Sequence, residues 1–264
     1  MYKILNHPEI ASSIDNLSHQ IRQIAFNVLR TYEPSAELDT LERIFRNIYN
    51  YDSKVYVDLL KSFGRFSQVM TFYCDIFPRV HLKNFGLESY LLSSLPLCHV
   101  ISTTIKEESW YVGYPGHKDW FSVRGSKSTI TVWAPVYYST SYPIHSLGFY
   151  DNIKAAEIQQ TVGDHAYELN IPDSMYRENP CPIGSVVLFD GFQPHKSMVT
   201  DFINPCSDDL RIAFSCRYEF DDDLEFLKRG LSNNYKTTVL KDEDYSDDVL
   251  SENGSSYHSS KLFG

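Results

Sequence analysis

An abrupt change of texture near residue 90 constrains this chain most. Before it, Ile10, Ile14, Leu17, Ile21, Ile24 and Val28 recur at alternating steps of four and three, one apolar face of an amphipathic helix. Pro34 and Ser35 break that pattern, and Leu41, Ile44, Phe45, Ile48 and Tyr49 resume it. Val57, Leu60, Phe63 and Met70 predict a third helix before Pro78. From Leu91 onward the chain turns to short β-branched and aromatic runs separated by turn residues. Candidate strands run from Cys98 to Thr104, Trp110 to Tyr114, Ser128 to Trp133, Val186 to Phe189 and Arg211 to Tyr218. Helices first and strands afterwards predict an α+β fold, with the helices packed on one face of an antiparallel barrel. Alone, the helices would leave an apolar stripe exposed, so residues 1–264 read as one domain. Its parts are a mainly helical support (1–90), a strand-rich core (91–220) and a polar, acidic tail (221–264), solvated or closing as a lid.

The strand-rich half carries the chemistry. Two histidines and one carboxylate form a facial triad that binds Fe(II) on one side and leaves the other open. Residues i and i+2 of a strand share a face, so His117 and Asp119 can bind one metal while Lys118 points away. His195, behind the strand-like run Val186 to Phe189, supplies a third ligand. Arg211 opens another strand-like run, where a fixed guanidinium can clamp a carboxylate through two hydrogen bonds. Iron plus a clamped carboxylate is what an oxygenase using 2-oxoglutarate requires. Among nine histidines about one His-x-Asp arises by chance, so the pair alone is weak and its surroundings carry the weight. His99, His145 and His165 lack a carboxylate at i+2 and read as surface or packing residues.

Those surroundings are Gly116-His-Lys-Asp-Trp120, Gly125-Ser126, Thr129-Ile-Thr-Val-Trp-Ala-Pro135, Gly184-Ser-Val-Val-Leu-Phe-Asp190, His195-Lys-Ser197 and Arg211-Ile-Ala-Phe-Ser215. In this order, over approximately residues 95 to 220, they resemble the phytanoyl-CoA dioxygenase-like family of Fe(II)/2-oxoglutarate oxygenases. The resemblance implies a double-stranded β-helix (jelly roll) with its metal site in the open mouth and the N-terminal helices on the outer sheet. It implies Fe(II) on His117, Asp119 and His195, with 2-oxoglutarate as cosubstrate, its distal carboxylate meeting Arg211 and Ser197. Trp133 matches a family position beside the cosubstrate, and Thr131 lies on the same strand face. The products would include succinate and carbon dioxide. Related halogenases have a small residue where Asp119 stands, so the carboxylate implies hydroxylation, desaturation or ring formation. Three departures stand out: Lys118 in place of the usual Gln, an insert at Asp201–Asp209, and Gly148-Phe-Tyr-Asp-Asn152 where relatives carry a Pro-Gly-Ser-His-like turn. The last two read as loops.

Tyr114, Trp120 and Arg124 flank the first ligand pair and are candidate substrate contacts. An arginine there suits a substrate with a carboxylate or phosphate, hence a small polar metabolite oxidised with dioxygen. The insert and Tyr137-Tyr-Ser-Thr-Ser-Tyr142 would wall the mouth. A net charge of −10 without a basic stripe argues against nucleic acid. No apolar run is long enough for a bilayer, and the first residues do not read as a signal peptide. Five cysteines without CxxC spacing read as reduced thiols in a cytoplasmic protein, with Cys216 as buried filler. Oligomeric state is not legible. Two other readings stay open: a jelly roll that binds a small molecule without catalysis, and a cupin-type metalloenzyme that needs no 2-oxoglutarate.

Overall fold

The structure, a computed structural model, describes residues 2–82, 91–92, 95–102, 116–119, 129–139, 146–150, 160–163, 166–169, 171–198 and 209–219. Tyr114, Trp120, Arg124, the strand expected from Trp110 to Tyr114, most of the insert after Asp201 and the acidic tail lie outside these residues.

Helix α1 spans Pro8–Tyr32; the His7 ring accepts from the Glu9 N–H, and Pro8 occupies the first turn, where its missing N–H costs nothing. It buries Ile10, Ile14, Leu17 and Ile21 as the spacing predicts, and then Ala25 and Leu29. Ile24 and Val28 are only half-buried. A four-three alternation averages 3.5 residues, and over three turns the real 3.6-residue period rotates the buried stripe onto the neighbouring positions. Helices α2 (Leu41–Tyr51) and α3 (Ser53–Phe63) follow, the second capped by the Asp52 carboxylate, which accepts from the Lys54 and Val55 N–H groups. The single third helix expected before Pro78 is divided. At Gly64 a Cβ would stand 2.0 Å from the Pro96 carbonyl oxygen, so close backbone approach requires glycine there. The chain resumes as α4 (Ser67–Thr71) and two π-helical segments, Phe72–Ile76 and Pro78–Leu82. Pro78 opens the second of these rather than ending the helical run.

The described strands are β1 (Tyr2–Asn6), β2 (Leu91–Leu92), β3 (Leu97–Ser102), β4 (Ile130–Tyr138), β5 (Leu147–Phe149), β6 (Gln160–Gly163), β7 (Ala166–Leu169), β8 (Arg177–Asn179), β9 (Ser185–Asp190), β10 (His195–Ser197) and β11 (Leu210–Glu219). All described pairings are antiparallel. The large sheet runs β1-β9-β4-β11-β2, with β3 also paired to β11; a second sheet runs β10-β5-β8, and β6 pairs with β7. Strand β1 is the exception within the mainly helical stretch 1–90 that the sequence did not mark: it extends the large sheet by pairing along β9. Gly148 and Phe149, read as part of a loop, lie in β5.

Alternation along the strands gives the large sheet two unlike faces. Val132, Ala134, Val136, Val186, Leu188, Ile212, Phe214, Cys216 and Tyr218 join the buried residues of the helices in one core. Trp133, Val187, Phe189 and Ala213 turn the other way and pack with Leu147, Phe149 and Cys181. The α+β part of the expectation therefore holds, with the helices packed on one face of an antiparallel sheet. Side-chain bonds tie the helical layer to the sheet: the Tyr137 hydroxyl donates to Glu42 at 2.8 Å, and Tyr218 donates to the Tyr73 carbonyl at 2.6 Å. Before β9, Gly184 turns with φ +90°, a backbone conformation only glycine adopts freely. Among the described residues no helix is long and apolar enough to cross a membrane.

Phe214 lies between the helices and the sheet, 1% exposed. Phe214→Ala is expected to lower the free energy of unfolding by about 3–5 kcal/mol, measured by denaturant titration. Leu38→Ala, at a 53% exposed site, is the control and should move it by less than about 0.5 kcal/mol.

Candidate metal centre

His117 and His195 meet through their backbones. Each accepts the other's N–H, at 2.9 and 3.0 Å, in an isolated antiparallel bridge. Residues opposed in this way send their side chains to one face, and the two imidazole centroids are 4.3 Å apart. The strand argument for His117 and Asp119 is thereby corrected: only His117 pairs, and Asp119 is not part of a strand. The carboxylate still arrives, with Asp119 Oδ1 3.7 Å from His117 Nε2. One ligand atom from each of His117, Asp119 and His195 falls within 4.8 Å of the others.

The surroundings orient each group. His195 Nδ1 lies 2.9 Å from the Gln193 carbonyl, so the Nδ1–H tautomer donates there and Nε2 keeps its lone pair for a ligand. The Gln193 amide is itself held by its bond to the Tyr150 carbonyl at 2.9 Å. Phe189 packs on the His195 ring with centroids 4.4 Å apart. Burial, with the charge of His117 beside it, lowers the His195 pKa to about 3 and keeps the ring neutral.

Asp119 is 1% exposed. The Thr131 hydroxyl donates to its Oδ2 at 2.5 Å, and the Arg217 guanidinium donates to its Oδ1 at 2.5 Å. Burial pushes the Asp119 pKa upward; the Arg217 charge, joined by His195, His117 and the Arg217 hydrogen bond, outweighs it and holds the carboxyl well below the usual carboxylate range. Thr131, expected beside a cosubstrate, thus spends its hydroxyl on Asp119.

Arg211 is 1% exposed, and its Nη2 donates to Ser197 Oγ at 3.3 Å while Nη1 donates to the Ser146 carbonyl at 3.4 Å. Its guanidinium carbon stands 5.4 Å from the centre of the Trp133 ring. Burial brings the Arg211 pKa down to about 10, which leaves it a cation at neutral pH. Ser197 sits two residues after His195 on β10, so both buried side chains share a face.

Of the residues expected at the site, the structure brings together His117, Asp119, His195, Thr131, Trp133, Ser197 and Arg211. Two residues gain roles the sequence did not suggest. Arg217 pairs with Asp119 as described. His99, expected at the surface or in packing, is half-buried and lies 2.7 Å through Nε2 from Ser215 Oγ, on the strand beside Arg211 and Arg217. Burial, then the Arg211 and Arg217 charges, lower its pKa to about 3. Alternation was the available signal: Val100 joins the helix-side core, so His99 must face the other way. Lys118 is buried rather than solvated; burial lowers its pKa, and the Asp190 charge opposes that.

No family model matches the chain, and no curated protein does. Solved structures do resemble it. The epimerase SnoN, in complex with Fe3+, alpha-ketoglutarate and nogalamycin RO, is 12% identical with a TM-score of 0.44, over 83% of this chain and 78% of that one. The iron and alpha-ketoglutarate-dependent endoperoxidase NvfI is 9% identical with a TM-score of 0.40, over 69% and 76%. The non-heme monooxygenase ThoJ is 10% identical with a TM-score of 0.41, over 80% and 70%. Likenesses of this size leave the functional reading to the geometry of the site.

The histidines set an acid limit. His99 and His195 have folded pKa values of about 3 against an ordinary 6.5, so the unfolded chain binds more protons between those values. Stability therefore rises with pH across that window and is complete only above about pH 6.5. The thermal midpoint of the metal-free protein is expected to fall steadily from about pH 7 to about pH 5, and His99→Gln should flatten the slope. A flat profile in the unsubstituted protein contradicts the buried, neutral rings.

Proposed function

We propose that this chain is an Fe(II)- and 2-oxoglutarate-dependent oxygenase of the phytanoyl-CoA dioxygenase-like type, hydroxylating a small polar metabolite with dioxygen. The observation that carries the reading is one buried face that holds His117, Asp119 and His195 with ligand atoms inside 4.8 Å, and Arg211 with Ser197 beside them. Ligand bonds of about 2.1 Å put neighbouring ligand atoms about 3 Å apart, so small side-chain shifts close the triad on a metal. Two imidazoles and one carboxylate suit Fe(II) and leave three positions open. A jelly roll is the fold proposed for the two sheets around this site, within a single domain over 1–264 that works in the cytoplasm.

Iron with 2-oxoglutarate would supply the activation of dioxygen, with succinate and carbon dioxide as products. The chain's own residues do the rest. Arg211 and Ser197 bind the distal carboxylate of the cosubstrate through charge-assisted bonds. Trp133 lies under the Arg211 guanidinium and limits where that carboxylate can go. Phe189 and Phe149 pack beside His195 and shield its ring from water. Tyr114, Trp120 and Arg124 are proposed as the substrate contacts, the arginine meeting a carboxylate or phosphate.

Succinate release from 2-oxoglutarate with Fe(II), with and without pools of metabolites, tests the reading. Asp119→Ala should abolish turnover. Arg211→Ala should raise the concentration of 2-oxoglutarate needed by the equivalent of about 2–5 kcal/mol, the usual cost of removing one partner of a buried charged pair. Full turnover by Asp119→Ala, or an unchanged 2-oxoglutarate requirement in Arg211→Ala, overturns the assignment.

A further inference from the structure

Strand β11 carries a second buried guanidinium that the chemistry above leaves unused. Arg217 is 5% exposed and donates to Asp119 Oδ1, the oxygen that also faces His117 Nε2 at 3.7 Å. Thr131, directly opposite Arg217 in the β4–β11 register, donates to Asp119 Oδ2 at 2.5 Å. One rung of the large sheet therefore holds both oxygens of the carboxylate. An ionised carboxylate offers about four lone-pair directions, so Oδ1 can take the guanidinium N–H and still present a lone pair toward the two imidazoles. Oδ2 is turned to the Thr131 hydroxyl.

We infer that Arg217 is a positioning residue which, with Thr131, restrains Asp119 to offer a metal one oxygen and not two. The consequence is an open coordination face. Chelation by both oxygens would occupy one of the three positions that a two-point cosubstrate and dioxygen need together. Burial makes the restraint firm, because an Asp119 that swings away leaves the Arg217 charge without its carboxylate and away from water. The inference rests on the oxygenase reading only in taking His117, Asp119 and His195 as the ligands.

Co(II) is the probe, since its visible spectrum reports ligand number without turnover. Titrated into the purified full-length chain, it should bind Arg217→Gln about 10–100-fold more weakly than the unsubstituted protein, the usual effect of losing a partner that orients a ligand. Arg217→Lys should recover part of that loss. Thr131→Val, which keeps the shape and removes the hydroxyl, should shift the Co(II) spectrum as Oδ2 becomes free to bind. Should Arg217→Gln fail to fold, formate decides: it should restore Co(II) affinity to Asp119→Ala, where Arg217 can hold it, and not to Asp119→Ala/Arg217→Gln. Unchanged or tighter Co(II) binding in a folded Arg217→Gln, or formate rescue independent of Arg217, overturns the inference and leaves the oxygenase reading standing. Absence of Co(II) binding by the unsubstituted chain removes both.

Discussion

Side chains alternate across strand β11, and this one constraint organises both halves of the molecule. Ile212, Phe214, Cys216 and Tyr218 close the core beneath the helices, while Arg211, Ala213, Ser215 and Arg217 look to the other side. Two guanidiniums on a buried face cannot stand alone, since an unpaired buried cation costs several kcal/mol. Each is matched by groups from distant parts of the chain: Arg217 by Asp119, and Arg211 by Ser197 and the Ser146 carbonyl. The register of β4 against β11 shifts between Ile212 and Ala213, which sets Arg211 opposite Tyr138 rather than Tyr137. A bulge of this kind re-aims side chains where a site needs it.

The rest of the centre is built by pairing rather than by local sequence. His117 and His195 are separated by most of the strand-rich half, yet two backbone hydrogen bonds set their rings side by side. Strand β10 then carries Ser197 to Arg211 two residues later, so one short strand serves both the metal ligand and the carboxylate clamp. Among the described residues, helices α1 to α4 supply none of the groups named at this face. Their role is to bury the opposite one, which holds β4, β9 and β11 together behind the site.

Legibility followed the length of each element. Helix α1, with seven turns of apolar spacing, was read to its face, and only the drift from Ile24 and Val28 to Ala25 and Leu29 escaped. Strands β9 and β11 were visible because six and ten residues hold a recognisable β texture. Strands β5, β8 and β10 have three residues each, too few for any period, and they exist because partners complete their hydrogen bonds. Strand β1 was hidden for the same reason: Tyr2 to Asn6 is extended because β9 offers it an edge. The His-x-Asp pair was found through an argument about strand faces that the backbone does not follow, although the residues do converge.

The amino-acid sequence by itself determined which residue types were available: two histidines and an aspartate in metal-ligand order, an arginine behind them, and apolar stripes that demand a sheet to cover. These are properties of spacing and chemistry along a line. Only the tertiary structure decided that Arg217 rather than solvent answers Asp119, that Thr131 serves the same carboxylate, that Lys118 is buried, and that His99 is half-buried against Ser215. Such contacts join residues up to about a hundred positions apart, and their energies depend on burial. Burial in turn exists only once the sheets have closed and water has left the face between them.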